Sequence, residues 1–366
     1  MRLVGILGLI LAFTISTTAA AMPDSLSKPS YVAPQETIPA PQDIAYPGTM
    51  TLTVDARDHD QGIFRVTQTI PVAQTGRLTL LYPEWLPGNH APRGEIEKLT
   101  GLEFTANGEI LPWVRDDVDV FAFHLTVPEN VSTITAKFQF VSATTSSHGR
   151  IVMAPAMLNL RWHQVSLYPA GYYVRQIPVE ATAIYPDGWQ AASAMRPKSR
   201  TGSRIAYEKT DYDTLVDSPV FAGQYFQTHQ LTSRVHLNIV ADDAKFLKPK
   251  KAQLAPHIKL VKEAEALFGS HPYDRYDFLL ALTEEMGGIG LEHHRSSDIA
   301  VPPACGRPIS GNRCATACCG STKDRRNSGA MCSAHGPVSI RSRIRSTPSL
   351  PSPRASTSGS DGAGGR

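Results

Sequence analysis

Apolar and polar residues alternate along several short stretches between residues 50 and 143. TMTLTVDAR (49–57), GIFRVTQTIPV (62–72) and TITAKFQFVSA (133–143) all have a period of two. This period is typical of strands that bury one face. Asn107-Gly108 lies between two apolar runs and predicts a two-residue hairpin turn. Closely spaced strands separated by Gly, Pro and Asn predict a β-rich, sandwich-like N-terminal domain over residues 48–240.

The period changes after residue 241 to that of an amphipathic helix, in KKAQLAPHIKLVKEAEALFG (250–269). The residues predicted to share its buried face are Ile258, Val261, Ala264 and Phe268. Gly269 is placed to end the helix. The next stretch, HPYDRYDFLLALT (271–283), predicts a turn into a buried strand. Residues 241–303 are therefore predicted to open an α/β domain that remains incomplete.

The N-terminus has the pattern of an export signal. Arg2 is followed by an apolar run over residues 3–15 and by small residues up to Ala21, which predicts a signal peptide over residues 1–21. The alternative is a membrane anchor, but the apolar run is short for a bilayer span. We therefore predict a periplasmic or extracellular protein without a membrane span after cleavage. A Pro-rich linker is predicted over residues 22–47.

The composition changes abruptly near residue 304. From Pro303 onward the chain contains no Phe, Trp, Tyr or Glu, and all of its cysteines lie there. Residues 304–366 are predicted to be an aberrant, disordered tail. A small metal site built on the cysteines is the alternative, but their spacing fits no common zinc pattern. The formal net charge of the 366 residues is only +3, so the composition does not favour a nucleic-acid partner.

Three stretches resemble the glycyl aminopeptidase family of zinc metallopeptidases. YPEWLPGNHAPRG (82–94) is similar to its Trp-x-Pro-Gly signature, and NLRWHQVSLYPAGYYVRQIPVEA (159–181) is similar to a segment in the middle of its β domain. GGIGLEHHRSS (287–297) resembles its Gly-Gly-x-x-Leu-Glu-His motif. The resemblance covers residues 48–303. It implies an exported enzyme with an N-terminal β domain, a thermolysin-like catalytic domain and a C-terminal PDZ domain.

The resemblance also implies how a peptide is bound. Glu292 would hold the free α-amine of a peptide substrate by a charge-assisted hydrogen bond. Gly287 and Gly288 would let the peptide backbone lie along the strand. The alternative for Glu292 is a solvated surface acid beside His293 and Arg295.

The metal ligands that the resemblance implies are missing. His293 and His294 are adjacent, and adjacent side chains on a strand point to opposite faces, so we interpret them as structural or substrate-facing residues. No His-Glu-x-x-His occurs in the sequence. We therefore predict that this chain binds no zinc, retains no catalytic residue and has no peptidase activity. The alternative is a non-catalytic exported β-domain module that binds peptides or proteins.

The genetic code offers a hypothesis for the tail. When the codons for residues 314–330 are read one nucleotide earlier, they permit a string with Tyr-Glu-Gly, which resembles the family's third-ligand helix. Its Glu is spelled across Thr322 and Lys323. Over residues 304–313 the shifted frame permits His only at Ile309, and the codon after it cannot spell Glu. The hypothesis is a truncation by a deletion after Pro303 that also shifted the frame, and the DNA sequence of the gene tests it.

Overall fold

The computed structural model describes residues 37–86, 88–89, 91–249 and 251–303. The predicted signal peptide and the predicted tail both lie outside these residues. No helix in the described part of the chain is long and apolar enough to cross a membrane.

Strands dominate the chain up to residue 223. The first eight are β1 (Met50–Asp55), β2 (Ile63–Pro71), β3 (Gly76–Leu81), β4 (Leu99–Ala106), β5 (Glu109–Leu111), β6 (Trp113–Arg115), β7 (Ala122–Val127) and β8 (Thr133–Val141). The next nine are β9 (Met153–Ala154), β10 (Met157–Leu160), β11 (Tyr168–Pro169), β12 (Pro178–Ile184), β13 (Gln190–Ser193), β14 (Pro197–Thr201), β15 (Arg204–Tyr207), β16 (Thr210–Asp211) and β17 (Val220–Gly223). The short helix α1 (Tyr212–Val216) lies between β16 and β17.

The described strands of this region form three sheets. The largest follows the order β14-β15-β12-β1-β2-β8-β4-β5, with β16 also paired to β12. Within it β1 runs parallel to β12 and antiparallel to β2. The two smaller sheets follow the orders β13-β17-β10-β9 and β11-β3-β7-β6. The prediction of a β-rich N-terminal domain is confirmed.

The alternation read from the sequence matches the burial of the strands. Residues of β8 alternate between buried and more exposed positions, and β1 and β2 do the same. The buried side chains meet in one apolar cluster. Its largest fully buried members include Trp162, Tyr82, Tyr185, Tyr212, Phe64, Phe104 and Phe140. The strands form because one face of each enters this cluster, while the other face stays polar.

The predicted hairpin turn is confirmed between β4 and β5. Asn107 and Gly108 both have positive φ, 50° and 87°. Two consecutive residues with positive φ match the twist of the flanking strands, and Asn-Gly adopts that conformation at little cost.

The second part of the fold is a five-stranded sheet with one long helix. Its strands are β18 (Tyr225–Gln230), β19 (Val235–Ala241), β20 (Tyr276–Leu282), β21 (Ile289–Glu292) and β22 (Ser296–Val301), and α2 spans Lys251–Phe268. The order is β18-β19-β20-β22-β21. Strand β20 runs parallel to both β19 and β22. β21 pairs antiparallel with β22.

Helix α2 ends where the sequence predicted, but its buried face is shorter. Gly269 has φ 63° and its N–H donates to the Glu265 carbonyl at 2.9 Å. Val261 is buried against the sheet and Ile258 packs beside it. The prediction that Phe268 shares this buried face is wrong, because its side chain is 74% exposed. The helix continues for two turns past Val261, and its last residue no longer contacts the apolar cluster.

The sheet β18–β22 is covered on both faces. One face packs against α2 through a cluster that includes Leu237, Ile239 and Val261. The other face packs against the N-terminal sheets through a second cluster that includes Phe221 and Leu279. Near-continuous apolar strands such as β20 are typical of a sheet buried on both faces.

Substitution of Gly94 tests how tightly the chain packs beside the Trp-x-Pro-Gly segment. A Cβ at Gly94 would lie 2.2 Å from the Pro83 carbonyl oxygen and 2.9 Å from the Phe121 ring. Overpacking of this kind costs about 1–3 kcal/mol. We expect Gly94→Ala to lower the free energy of unfolding by that amount in urea denaturation. Gly290→Ala is the control, because a Cβ there meets nothing within 4 Å. An equal loss in both variants would contradict the prediction.

Candidate functional site

Strand β21 lies at one edge of the five-stranded sheet. It pairs with β22 on one side, and no other described strand pairs with it. Added Cβ atoms at Gly287 and Gly290 would meet nothing within 4 Å. The backbone along this edge is therefore open to an approaching chain.

The predicted binding residues lie together at this edge. Glu292 is the last residue of β21 and its side chain is exposed. Gly287 and Gly288 are also exposed and directly precede the strand. A Cβ at Gly288 would lie 3.6 Å from the Ala300 carbonyl oxygen on β22, which is an ordinary contact. The three residues thus lie along one open edge, with the carboxylate at its far end.

Tyr276 contacts the strand partner of Glu292, because its hydroxyl lies 2.5 Å from the Ser297 hydroxyl and Ser297 is opposite Glu292 in the register. Its hydroxyl donates to the Ser296 carbonyl at 2.9 Å, at the turn into β22. Burial raises the pKa of Tyr276, and the negative charges of Glu292 and Asp217 add to that effect. The phenol therefore stays neutral and serves to fix the β21–β22 turn.

The Trp-x-Pro-Gly segment packs onto the same strand. Gly88 has φ 72°, and a Cβ there would lie 2.5 Å from the Leu291 Cδ1 atom and 3.5 Å from the Glu292 carbonyl oxygen. Trp85 pairs in an isolated bridge with Pro92, and its side chain is 65% exposed. No local pattern in the sequence predicted this contact. Only the resemblance linked the two segments, since more than 190 positions separate them in the sequence.

Both histidines after Glu292 turn toward one carboxylate. The His293 Nδ1 atom lies 2.7 Å from the Asp217 Oδ1 atom. The His294 backbone N–H donates to Asp217 Oδ2 at 2.9 Å, and the His294 Nδ1 atom contacts the same oxygen. Our premise that the two rings point in opposite directions is wrong, because β21 ends at Glu292 and the alternation of a strand stops there. Asp217 is the partner of both residues that the sequence did not reveal.

The pKa of Asp217 reflects these contacts. Burial raises the pKa of this carboxyl, but hydrogen bonds from His293 and from the His294 backbone outweigh burial and hold the pKa below its ordinary value. Asp217 is therefore ionised near neutral pH and can accept from both histidines at once.

This lowered pKa predicts a specific acid sensitivity. An unfolded Asp titrates near ~3.9, and the folded carboxyl titrates below that value. The stabilisation is therefore fully present above the unfolded pKa and is lost as the pH falls through the folded pKa. We expect the Tm of the wild type to fall more steeply below about pH 4 than that of Asp217→Asn. Parallel Tm–pH curves from differential scanning calorimetry would show that Asp217 does not contribute.

Strand β22, which pairs with β21, carries one partner of a buried ion pair. Arg161 Nη2 donates to Asp298 Oδ2 at 2.8 Å, and Arg150 Nη2 lies 3.8 Å from Asp298 Oδ1. Burial raises the pKa of Asp298, but the two guanidinium groups outweigh burial and hold it below its ordinary value. Burial and the charge of Arg161 lower the pKa of Arg150 to about 9. This pair joins β22 to the N-terminal sheets.

Zinc, which the resemblance implies, does not fit the donors described. Within residues 37–303, as far as the structure describes them, no group of three or more His, Cys, Asp or Glu side chains could hold a metal ion. His293 and His294 both direct Nδ1 to Asp217. Residues 304–330, which the frameshift hypothesis concerns, lie outside the described residues.

Comparison with known proteins shows what the N-terminal region is similar to. Residues 51–224 match the family model of the Peptidase M61 N-terminal domain. Among solved structures, the chain is similar to the crystal structure of an aminopeptidase N family protein from Idiomarina loihiensis, with a TM-score of 0.58 and 20% sequence identity. That match covers 71% of this chain and 43% of the other, so the chain spans less than half of that protein. No curated protein matches the sequence.

The structural likeness at this identity shows a shared fold, and the family model adds the sequence evidence. Residues 51–224 thus match the Peptidase M61 N-terminal domain, and this match supports an M61-like peptidase family, while the structural likeness shows the fold alone.

Proposed function

We propose that this exported peptidase-family chain binds the free N-terminus of peptides along the open edge of β21 and does not hydrolyse them. The observation that carries the proposal is the exposed Glu292 at the end of an unpaired strand edge. A peptide laid along such an edge gains main-chain hydrogen bonds, as in β-strand addition. The carboxylate then selects a chain that begins there with a free amine.

The glycines and the carboxylate have different tasks in this proposal. Gly287 and Gly290 leave space where a side chain would keep a peptide backbone at a distance. Glu292 accepts hydrogen bonds from an α-ammonium group, which carries three donors and a positive charge. Acetylation of the peptide removes that charge, so binding should depend on the free amine.

In the intact family that the sequence resembles, zinc supplies an activated water for attack on the peptide carbonyl. The described side chains do not fit such a centre, and no His-Glu-x-x-His occurs in the sequence. The chain's own residues are therefore proposed to bind and orient the peptide, without a hydrolytic step.

Calorimetric titration tests the binding proposal. Glycinamide should bind the wild type, whereas N-acetylglycinamide should not. Glu292→Gln should weaken glycinamide binding about tenfold or more, because it removes one charged hydrogen-bonding partner. Glu285→Gln is the matched control, since Glu285 is an exposed acid near the same strand that has no proposed role. Equal binding of the acetylated ligand would exclude amine recognition.

A separate assay tests the lack of hydrolysis. We expect the purified chain to hold no stoichiometric zinc and to leave Gly-p-nitroanilide intact. Turnover that a chelator abolishes would overturn this part of the proposal and leave the binding part open to its own test.

A further inference from the structure

We propose that Asp217 is a positioning residue for Glu292, and this inference rests on the proposed function. Asp217 lies in the N-terminal region, 75 positions before Glu292 in the sequence. It contacts no part of the proposed peptide path directly. It acts through the two residues that follow Glu292.

The contacts of Asp217 end the strand at a fixed place. One carboxylate oxygen accepts from the His293 ring at 2.7 Å, and the other accepts from the His294 backbone N–H at 2.9 Å. The His293 backbone N–H also donates to the Ser296 carbonyl at 2.8 Å and closes the turn into β22. Glu292 is thereby held between a paired strand and a clamped turn. An exposed side chain at the free end of an edge strand would otherwise move with that end.

Asp217 is itself fixed in place by helix α1. It follows α1 directly, and its own N–H donates to the Asp213 carbonyl at 3.2 Å. Tyr212 and Leu215 bury this helix in the main apolar cluster. The carboxylate is almost fully buried, so its position is set by the core of the N-terminal domain.

Two further contacts hold the same hairpin without touching Glu292's neighbours in the turn. Leu291 lies opposite Asp298 in the register, and Asp298 is bound by Arg161. Gly88 packs against Leu291. These contacts fix the middle of β21, and the contacts of Asp217 fix the two residues that follow its end.

Glycinamide titrations of three variants test the inference. Asp217→Ala removes both acceptors and should weaken binding about tenfold. Asp217→Asn should restore most of the affinity, because its oxygen can still accept from the His294 amide and its NH₂ can donate to the His293 ring in the other tautomer. Asp211→Ala is the matched control: Asp211 caps the same helix by accepting from the Thr214 N–H, but it does not contact β21.

The control separates positioning from a general loss of structure. Equal weakening by Asp217→Ala and Asp211→Ala, or unchanged binding in Asp217→Ala, would overturn the inference. A measurement on the wild type does not require any variant to fold: glycinamide should shift the ring resonances of both His293 and His294 in NMR spectra. Rings that stay unshifted at saturation would also overturn it.

Failure of the proposed function gives a different pattern. If the wild type does not bind glycinamide, the proposed function is wrong. Amide hydrogen exchange over residues 288–294 then tests the role of Asp217 independently. Faster exchange in Asp217→Ala than in Asp211→Ala supports the proposal that Asp217 fixes the segment around Glu292. Equal exchange in the two variants contradicts it.

Discussion

Trp162→Ala is expected to lower the free energy of unfolding by about 3–5 kcal/mol, the range for truncation of a large buried aromatic side chain. The Trp162 side chain is fully buried in the main apolar cluster. Its ring lies edge-on to Tyr207 at 5.8 Å between centroids. Its Nε1–H donates to the Ser218 carbonyl at 2.9 Å. The substitution therefore leaves a cavity and removes one of the two hydrogen bonds to the Ser218 carbonyl, the other of which comes from the Ser193 hydroxyl.

Urea denaturation followed by circular dichroism measures this loss. Trp85→Ala is the matched control, since the same side chain is removed from a position where it is 65% exposed. We expect the control to change stability by no more than about 0.5 kcal/mol. A loss for Trp162→Ala that is no larger than the control's would mean that the cluster does not close around this ring. Because Ser218 directly follows Asp217 in the sequence, the loss of the Trp162 hydrogen bond also affects the segment that carries the proposed positioning residue.

The second large effect concerns the buried pair between Arg161 and Asp298. Removing one partner of such a pair costs about 3–5 kcal/mol, because the remaining charge stays buried without compensation. In Arg161→Ala, Asp298 would keep only Arg150, whose nearest nitrogen lies 3.8 Å away. The Asp298 side chain is fully buried and cannot turn to water. We therefore expect unfolding at a clearly lower urea concentration.

Arg196→Ala is the control for this experiment. Arg196 pairs with Asp274 on the surface, with about half of each side chain exposed. Exposed pairs contribute about 0–1 kcal/mol. If Arg161→Ala cost no more than Arg196→Ala, the pair between the N-terminal sheets and β22 would be of no consequence for stability.

Local pattern predicted much of the fold. The period of two gave β1, β2 and β8, and the Asn107-Gly108 pair gave the hairpin between β4 and β5. These features depend on residues close together in sequence, so short-range sterics and one-sided burial are enough to specify them. The end of α2 at Gly269 is of the same kind. The exposure of Phe268 could not be predicted from nearby residues, because it depends on how far the sheet extends beneath the helix.

The residues of the candidate site likewise divide into those that the sequence could identify and those that it could not. Glu292, Gly287 and Gly288 form one short segment, so the resemblance could identify them together. Asp217 could not be identified from the sequence, since an isolated acid after a short helix carries no local signal. The error over His293 and His294 has a related cause: alternation holds only within a strand, and the strand ends one residue earlier.

The sequence by itself determined that the chain is β-rich up to about residue 240, that a helix and an apolar strand follow, and that it contains no His-Glu-x-x-His. The tertiary structure alone decided that β21 lies at a sheet edge, that Gly88 packs against it, and that Asp217 holds the residues after Glu292. Periodicity reports which face of an element is buried. It does not report which distant element covers that face, because that choice depends on the packing of the whole core.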